Sequence, residues 1–379
     1  QIETTDDFDE SIPPKRLTYY PGMSILQTSQ RKFLTLAKGV FHLGEQHILN
    51  AGVEYMWDKL FAPSRMEGGR ASVYTLSAYA QDEWTLMSNL ILTGGVRFVH
   101  HKEFGQKLTP KVSAMYKWGD FNFRATYSYG FKTPTVKELY YGYITSIMSS
   151  KLKAYYGNKD LKPQTSNYYS AGVEYKGRKL SASVTGYYNR IKNMVELTVV
   201  PTSSEDKMLE VTETMKYNNL AGARSYGVDA TFDYRILPSL SVGGGYSYVD
   251  AKAQYADDPA SKDYMKYMPI NATSYNSATW KALWSHSWKR YKLGIGVFGN
   301  YRSAKYYITD GNGSPYQLWR LNTSHSLLDI KKWTLAFDAG IDNIFNYVDD
   351  VPFGRNRGTT TPGRTYYVSC SIKFTNKKK

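Results

Sequence analysis

Along most of the chain, apolar and polar residues alternate with period two, in runs of about nine to twelve residues, the length a tilted strand needs to cross a bilayer. Over 123–131 the odd positions are Phe123, Ala125, Tyr127, Tyr129 and Phe131, and the even ones are polar or glycine. Tyr226, Val228, Ala230, Phe232 and Tyr234 likewise alternate with Ser225, Gly227, Asp229, Thr231, Asp233 and Arg235. One face of such a strand suits lipid and the other water. The pattern predicts about fifteen strands, at 31–43, 47–59, 72–84, 89–99, 109–118, 122–132, 164–175, 179–200, 224–235, 240–254, 274–288, 292–307, 316–328, 333–344 and 365–374. Tyr and Trp near their ends are expected to form interfacial girdles.

The predicted connections alternate between tight turns, as at 43–47, 86–89, 118–121 and 176–179, and longer loops at 60–71, 100–108, 133–163, 201–223, 255–273, 308–315 and 345–364. Outer-membrane barrels keep short turns on the periplasmic side and long loops outside, so this alternation assigns an orientation. The expected fold is therefore all-β, a transmembrane antiparallel β-barrel. Its odd strand number does not close on itself without a parallel seam. Inward positions include Arg97, Arg124, Asp229, Asp233, Arg235, Asp338 and Asp342, which would line the lumen.

Composition fits a wall that is wet on one side. Of 379 residues, 42% are hydrophobic and 15% aromatic, with 35 Tyr, yet mean hydropathy is −0.50. No apolar run reaches the ~18–20 residues of a spanning helix. The net charge of +15 comes from basic residues scattered through turns and loops, with Lys377, Lys378 and Lys379 as a terminal run. Without a basic helical stripe or an RNA-binding signature, no nucleic-acid partner is expected. The lone Cys370 shares a strand face with Tyr366, Val368 and Ile372 and reads as an inert apolar residue. No Ser/His/Asp constellation can be assembled, so no enzyme and no catalytic residues are expected.

Several segments, in order, resemble the TonB-dependent outer-membrane receptors. Ser77-Ala-Tyr-Ala-Gln-Asp-Glu-Trp84 followed by Leu90-Ile-Leu-Thr-Gly-Gly-Val-Arg-Phe98 is similar to the family's mid-barrel strand pair. Tyr129-Gly-Phe-Lys-Thr-Pro-Thr-Val-Lys-Glu-Leu139 resembles its aromatic-Arg-Ala-Pro box. Gly157-Asn-Lys-Asp-Leu-Lys-Pro163 resembles the Asn-Pro-Asn-Leu-Lys-Pro box that follows, with Lys159-Asp160 where Pro-Asn is usual. Asp342-Asn-Ile-Phe-Asn346 and the segment from Pro362 to Phe374 resemble the closing strand pair.

The resemblance implies a C-terminal portion of a barrel, about fifteen of roughly twenty-two strands, without the family's N-terminal plug and first strands. Residues 1–28 would be an extracellular loop, 29–374 the barrel portion and 375–379 a periplasmic basic tail, with proteolysis within the first segment, or a separately made chain, as the expected origin. The implied function is active transport of an iron-bearing ligand, haem or a ferric siderophore, energised through an inner-membrane TonB complex. A cobalamin receptor of the same family and a passive diffusion porin are the alternatives. No resident cofactor or metal centre is expected. Expected partners are the plug-plus-strand portion of the same protein, the TonB-type energiser acting through it, outer-membrane lipid or lipopolysaccharide, and a surface ligand-binding lipoprotein.

Between the two boxes lie Tyr140, Tyr141, Tyr143, Met148, Tyr155 and Tyr156, and no histidine. Haem-importing relatives usually place an iron-ligating His in that interval, because imidazole suits haem iron; Tyr or Met would have to serve instead. His100 and His101 open the preceding long loop and are expected to face the same vestibule. These eight residues are the candidate ligand contacts.

Overall fold

The computed structural model describes residues 26, 28–66, 68–147, 151–220, 222–254, 265–270, 272–307, 311–330, 333–348 and 362–374. Residues 1–25 and 27 of the expected loop 1–28, the tail at 375–379 and Met148 lie outside the described residues, as do 255–264 and 349–361.

Six strands open the order: β1 (Ser29–Leu43), β2 (His47–Phe61), β3 (Arg70–Met87), β4 (Leu90–His101), β5 (Gly105–Trp118) and β6 (Phe121–Lys132). Helix α1 (Val136–Tyr140) and the short strands β7 (Gly142–Ile147) and β8 (Lys151–Tyr156) follow. Next come β9 (Gln164–Lys176), β10 (Leu180–Lys192), β11 (Val195–Val200), helix α2 (Ser204–Met208) and β12 (Val211–Asn219). The remainder is β13 (Gly222–Leu237), β14 (Leu240–Gln254), β15 (Tyr267–Pro269), β16 (Thr273–Ser274), β17 (Asn276–Trp288), β18 (Tyr291–Arg302), β19 (Lys305–Tyr307), β20 (Gly311–Asn312), β21 (Tyr316–Ile330), β22 (Trp333–Asp342) and β23 (Thr365–Phe374).

Fifteen of these form one antiparallel sheet ordered β1-β2-β3-β4-β5-β6-β9-β10-β13-β14-β17-β18-β21-β22-β23, with β15 added to β14. The expected number of long strands is therefore observed. Among the described residues β1 pairs only with β2, and β23 only with β22, so each keeps one unpaired side.

Register explains why alternation selects the two faces. Trp84, Leu92, Ala114, Ala125, Ala171, Gly186 and Val228 are successive cross-strand partners from β3 to β13, so every strand shows its apolar parity on the same side. Those side chains are not buried: Val368 is 80% exposed, Trp118 66% and Phe374 62%. At about 25 cal/mol per Å² an apolar belt of this kind is untenable in water and suits a hydrocarbon surround. At the short-turn end Trp118 meets Phe121, Trp288 meets Tyr291 and Trp333 meets Phe374, an aromatic girdle. No helix among the described residues is long and apolar enough to cross a membrane.

The opposite, polar face carries many of its charges in pairs, while Asp229 and Asp338 accept from Ser247 and Ser369. Arg97 donates to Glu54 Oε1 at 2.8 Å and to Ser77 Oγ at 3.0 Å. Glu174 takes Lys176 at 3.1 Å and Arg124 at 3.7 Å, Lys32 lies 3.7 Å from Asp58, and Asp233 with Lys281 and Asp342 with Arg320 are further pairs.

Three expectations need correction. The predicted strand 179–200 is two elements: β10 ends at Lys192, Asn193 turns the chain with φ 55°, and β11 joins a different sheet. The predicted strand 292–307 is likewise split into β18 and β19. The expected long loop 100–108 is a short hairpin, because pairing continues through His100 with Gln106 and His101 with Gly105, and Gly105 accepts φ 66°.

Buried apolar side chains gather at the long-loop end. Leu60, Ala62, Met66, Val73, Val136 and Tyr141 form one cluster, Leu139, Leu161 and Val195 a second, and Leu220, Ala223 and Ala253 a third. The wall is one layer and has no core of its own; the cap above it does.

Candidate functional site

The cap begins where Pro134 stops β6. Thr135 then caps α1 in a reciprocal box: its Oγ1 accepts from Glu138 N at 3.3 Å while Glu138 Oε2 accepts from Thr135 N at 2.6 Å. Val136 and Leu139 face inward from that helical turn. The second box packs directly behind. Gly157 N donates to Tyr141 O at 2.6 Å and Asn158 N to Glu138 O at 2.9 Å. A Cβ on Gly157 would stand 2.7 Å from Leu139 C and 2.8 Å from Tyr140 N, so only glycine allows this approach.

Leu161, 3% exposed, plugs the gap between Leu139 and Val195. Asn219 then ties three segments: its Oδ1 accepts from Lys162 N at 2.7 Å, and its Nδ2 donates to Lys162 O and Asn193 O, both at 2.9 Å. The two boxes are thus the halves of one clamp at the loop end of the wall. Asn343 does similar work further on: it donates to Tyr347 O at 2.6 Å and Pro362 O at 3.2 Å, holding the ends of the β22–β23 connection together.

On the clamp stands a second sheet, β11-β12-β8-β7, in which β8 and β12 run parallel. Tyr143 and Tyr155 are cross-strand partners with rings stacked 5.2 Å apart, 14° from parallel. Arg65, from the 62–69 loop, places its guanidinium 5.2 Å from the Tyr143 ring centre. Tyr141 meets Tyr143 edge-on, and the Lys137 ammonium lies 5.3 Å from the Tyr141 ring. The Lys159 ammonium lies 5.8 Å from Tyr140. The result is a shelf of aromatic rings interleaved with cations.

The other side of the sheet is closed by α2. Asp206, 4% exposed, accepts from Tyr156 OH at 2.7 Å and from Thr214 Oγ1 at 3.2 Å. Burial and the Asp206 carboxylate push the Tyr156 phenol up to about 12. Burial also raises Tyr143, with Arg65 opposing it, and raises Tyr140 and Tyr217. Glu196, on β11, is raised by burial against the pull of Lys132.

Of the expected contacts, Tyr140, Tyr141, Tyr143, Tyr155 and Tyr156 all belong to this cap, but not as five free rings. Tyr141 is core and Tyr156 is committed to Asp206; Tyr143 and Tyr155 form the shelf. His100 and His101 do not converge. Neighbours on a strand point to opposite faces: His100 lies beside Tyr74 on the apolar side, and His101 is 2% exposed and packs against Phe104. A paired-histidine iron ligand is therefore not what this strand presents. Among the described residues no group of three or more His, Cys, Asp or Glu is placed to hold a metal ion. Sequence reasoning missed Arg65, Lys137 and Asp206, which come from loops and short helices without periodicity.

A wide antiparallel wall with an apolar exterior, paired charges inside and a clamped aromatic cap defines an outer-membrane β-barrel of the receptor type. The chain belongs to the TonB dependent receptor-like, beta-barrel family, whose model matches residues 3–344. That family resides in the outer membrane of Gram-negative bacteria and consists of transport receptors that work with TonB.

One relative is the iron-regulated outer membrane virulence protein of Vibrio cholerae serotype O1, 26% identical over 215 residues, covering 55% of this chain and 32% of the relative. The siderophore receptor PirA of Pseudomonas aeruginosa has a similar fold, with a TM-score of 0.66 at 19% identity over 92% of this chain and 57% of PirA. A mutant ferric enterobactin receptor, PfeA, of the same organism, solved with enterobactin, gives 0.70 at 20% identity over 91% of this chain and 55% of PfeA. The copper transporter OprC gives 0.65 at 15% over 92% and 56%. The chain thus spans about half the length of these solved structures and a third of the curated relative.

Proposed function

We propose that the receptor carrying this chain imports an anionic ferric chelate of the siderophore class, energised through TonB, and that the cap makes the first contact. The observation that carries this is the Tyr143–Tyr155 stack beneath Arg65, with Lys137 and Lys159 over the adjoining rings. Flat aromatic faces bury the apolar body of such a ligand and the cations offset its charge. A ferric chelate brings its own iron donors, which suits a cap whose histidines diverge. Haem, in contrast, would need an axial ligand from the protein. The tyrosines of the cap are poor phenolates at neutral pH, since burial raises Tyr140, Tyr143 and Tyr156. The relatives named above, iron-regulated or siderophore-binding, support the same reading.

In this reading the unpaired sides of β1 and β23 take further strands of the complete receptor. The paired charges of the inner wall then meet a plug, through which TonB acts. A surface lipoprotein that hands over ligand remains a proposed partner of the cap.

Growth of a deletion strain on one limiting nutrient at a time tests the proposal: ferric catecholate and hydroxamate siderophores, haem, or cobalamin. Growth restored by a siderophore, and reduced when the complementing gene carries Arg65→Gln with Tyr143→Ala, is the expected result. Restoration by haem or cobalamin alone refutes it, and steady, energy-independent sugar permeability in liposomes would replace it with a diffusion porin.

A further inference from the structure

The outer wall carries a row of cations whose placement has no role in ligand uptake. Arg190 on β10, Arg224 on β13 and Lys252 on β14 are direct cross-strand partners, and all three share the apolar parity of the wall. Like charges directly opposite one another destabilise a strand pair. Within the protein the repulsion is only partly relieved. Lys252 has Asp250 at 2.9 Å; the same carboxylate, 4% exposed and bonded by Tyr226 OH, also offsets Arg224, and Arg224 lies 4.3 Å over the Tyr267 ring, so Arg190 is the cation left without a partner charge among the described residues. Arg224 Nε is buried without a hydrogen-bond acceptor, and Arg190 is exposed with no counter-ion among the described residues. Lys192, on the same parity of β10, is also exposed.

Depth identifies what lies opposite. A strand rising about 3.3 Å per residue at about 40° tilt climbs about 2.5 Å per residue across the membrane. Counted from Leu180 at the periplasmic turn, Gly186 lies about 15 Å up and Arg190 about 25 Å up, mid-membrane and the top of the apolar band respectively. Directly below Arg190 and Arg224 lie Tyr188 and Tyr226, in register with Tyr169 and Tyr127 on the neighbouring strands and facing the same way. Below these an apolar groove of about 860 Å³ is floored by Ala114, Ala125, Ala171 and Gly186 and rimmed by Tyr169 and Tyr188. Cation, tyrosine and hollow thus follow in the order of a lipid's headgroup, ester region and chain.

We propose that this face binds a phosphate-bearing lipid of the outer leaflet, its phosphate bridging Arg190 and Arg224 and one acyl chain descending past Tyr188 into the groove at Gly186. The bidentate geometry of guanidinium suits phosphate oxygens, and a dianion between two arginines removes the cross-strand repulsion. The site is independent of the ligand reading above, since it lies on the outside of the wall.

The test uses the full-length receptor in detergent, titrated with diphosphoryl lipid A and read by native mass spectrometry. Arg190→Gln/Lys192→Gln/Arg224→Gln should lower affinity by about tenfold or more, the scale of losing a charge-assisted contact. Arg190→Gln alone, which breaks no contact within the protein, should show part of that loss. Arg178→Gln/Lys179→Gln in the periplasmic turn should bind as wild type. Gly186→Leu places a side chain in the hollow, its Cβ meeting nothing closer than Gly227 O at 4.0 Å, and should also weaken binding. Heat-modifiable mobility in gels confirms that each variant is folded. Equal affinity of the triple variant and wild type, or of dephosphorylated and diphosphoryl lipid, overturns the phosphate site; unchanged binding by Gly186→Leu overturns the seated acyl chain.

Discussion

Replacing Gly157 by alanine adds a single methyl group, and its effect can be worked out from the clamp. The new Cβ meets backbone rather than a yielding side chain: Leu139 C at 2.7 Å, Leu139 O at 2.8 Å and Tyr140 N at 2.8 Å. Relief requires moving β8 away from α1. That movement lengthens the bonds from Gly157 N to Tyr141 O and from Asn158 N to Glu138 O. Two hydrogen bonds of about 1 kcal/mol each and overpacking of about 1–3 kcal/mol sum to a local loss of about 3–5 kcal/mol. Hydrogen exchange with mass spectrometry reads this directly. Peptides covering 136–147 and 151–163 should exchange at least about a hundredfold faster, while those of β4, β5 and β17 stay unchanged, because the cap opens as its own unit. Gly142→Ala is the internal control, since a Cβ there meets only Tyr156 Cδ1, at an ordinary 3.8 Å. Equal protection of Gly157→Ala and wild type would refute the clamp.

Other consequences are checked separately. Tyr156→Phe deprives the buried Asp206 carboxylate of a hydrogen-bond donor, costing the cap about 1–3 kcal/mol, and a double-mutant cycle with Asp206→Asn should show strong coupling. Because the Tyr156 phenol is raised from 10.0 to about 12, its contribution is fully present below pH 10 and is lost as pH rises through about 12; ultraviolet difference titration of wild type against Asp206→Asn should show one late tyrosinate shifting back toward ordinary behaviour in the variant. His101→Ala empties a site only 2% exposed and should destabilise the β4–β5 hairpin by about 2 kcal/mol in exchange experiments, whereas the outward-facing His100→Ala should leave both stability and ligand affinity within about 0.5 kcal/mol of wild type. Asn219→Ala removes two bonds that join β12 to the second box and one to Asn193, and should raise proteolysis near residues 159–163 without affecting the wall.

The wall was legible in the sequence because its logic is local. Side chains on a strand alternate, lipid lies on one side and water on the other, and each strand of fifteen repeats that instruction within about ten residues. Tight turns such as 118–121 and the aromatic strand ends were equally local. The cap was not legible in this way. Period-two counting ran β10 and β11 together, because both alternate and only the positive φ of Asn193 separates them. The parallel pairing of β8 with β12 joins segments some sixty residues apart, as in Lys153 with Glu213, and no pattern in either segment announces its partner. Tyr141, Tyr143 and Tyr156 look alike as letters. Their roles as core, shelf and buried hydrogen-bond donor are decided by what α1, Arg65 and Asp206 bring to them. His100 and His101 show the converse: adjacency suggested a pair, while the strand that carries them sends one side chain to each face. The sequence alone determined the alternating wall and its faces, since these are read residue by residue. Tertiary structure decided which cap residues meet, since that depends on contacts between distant segments.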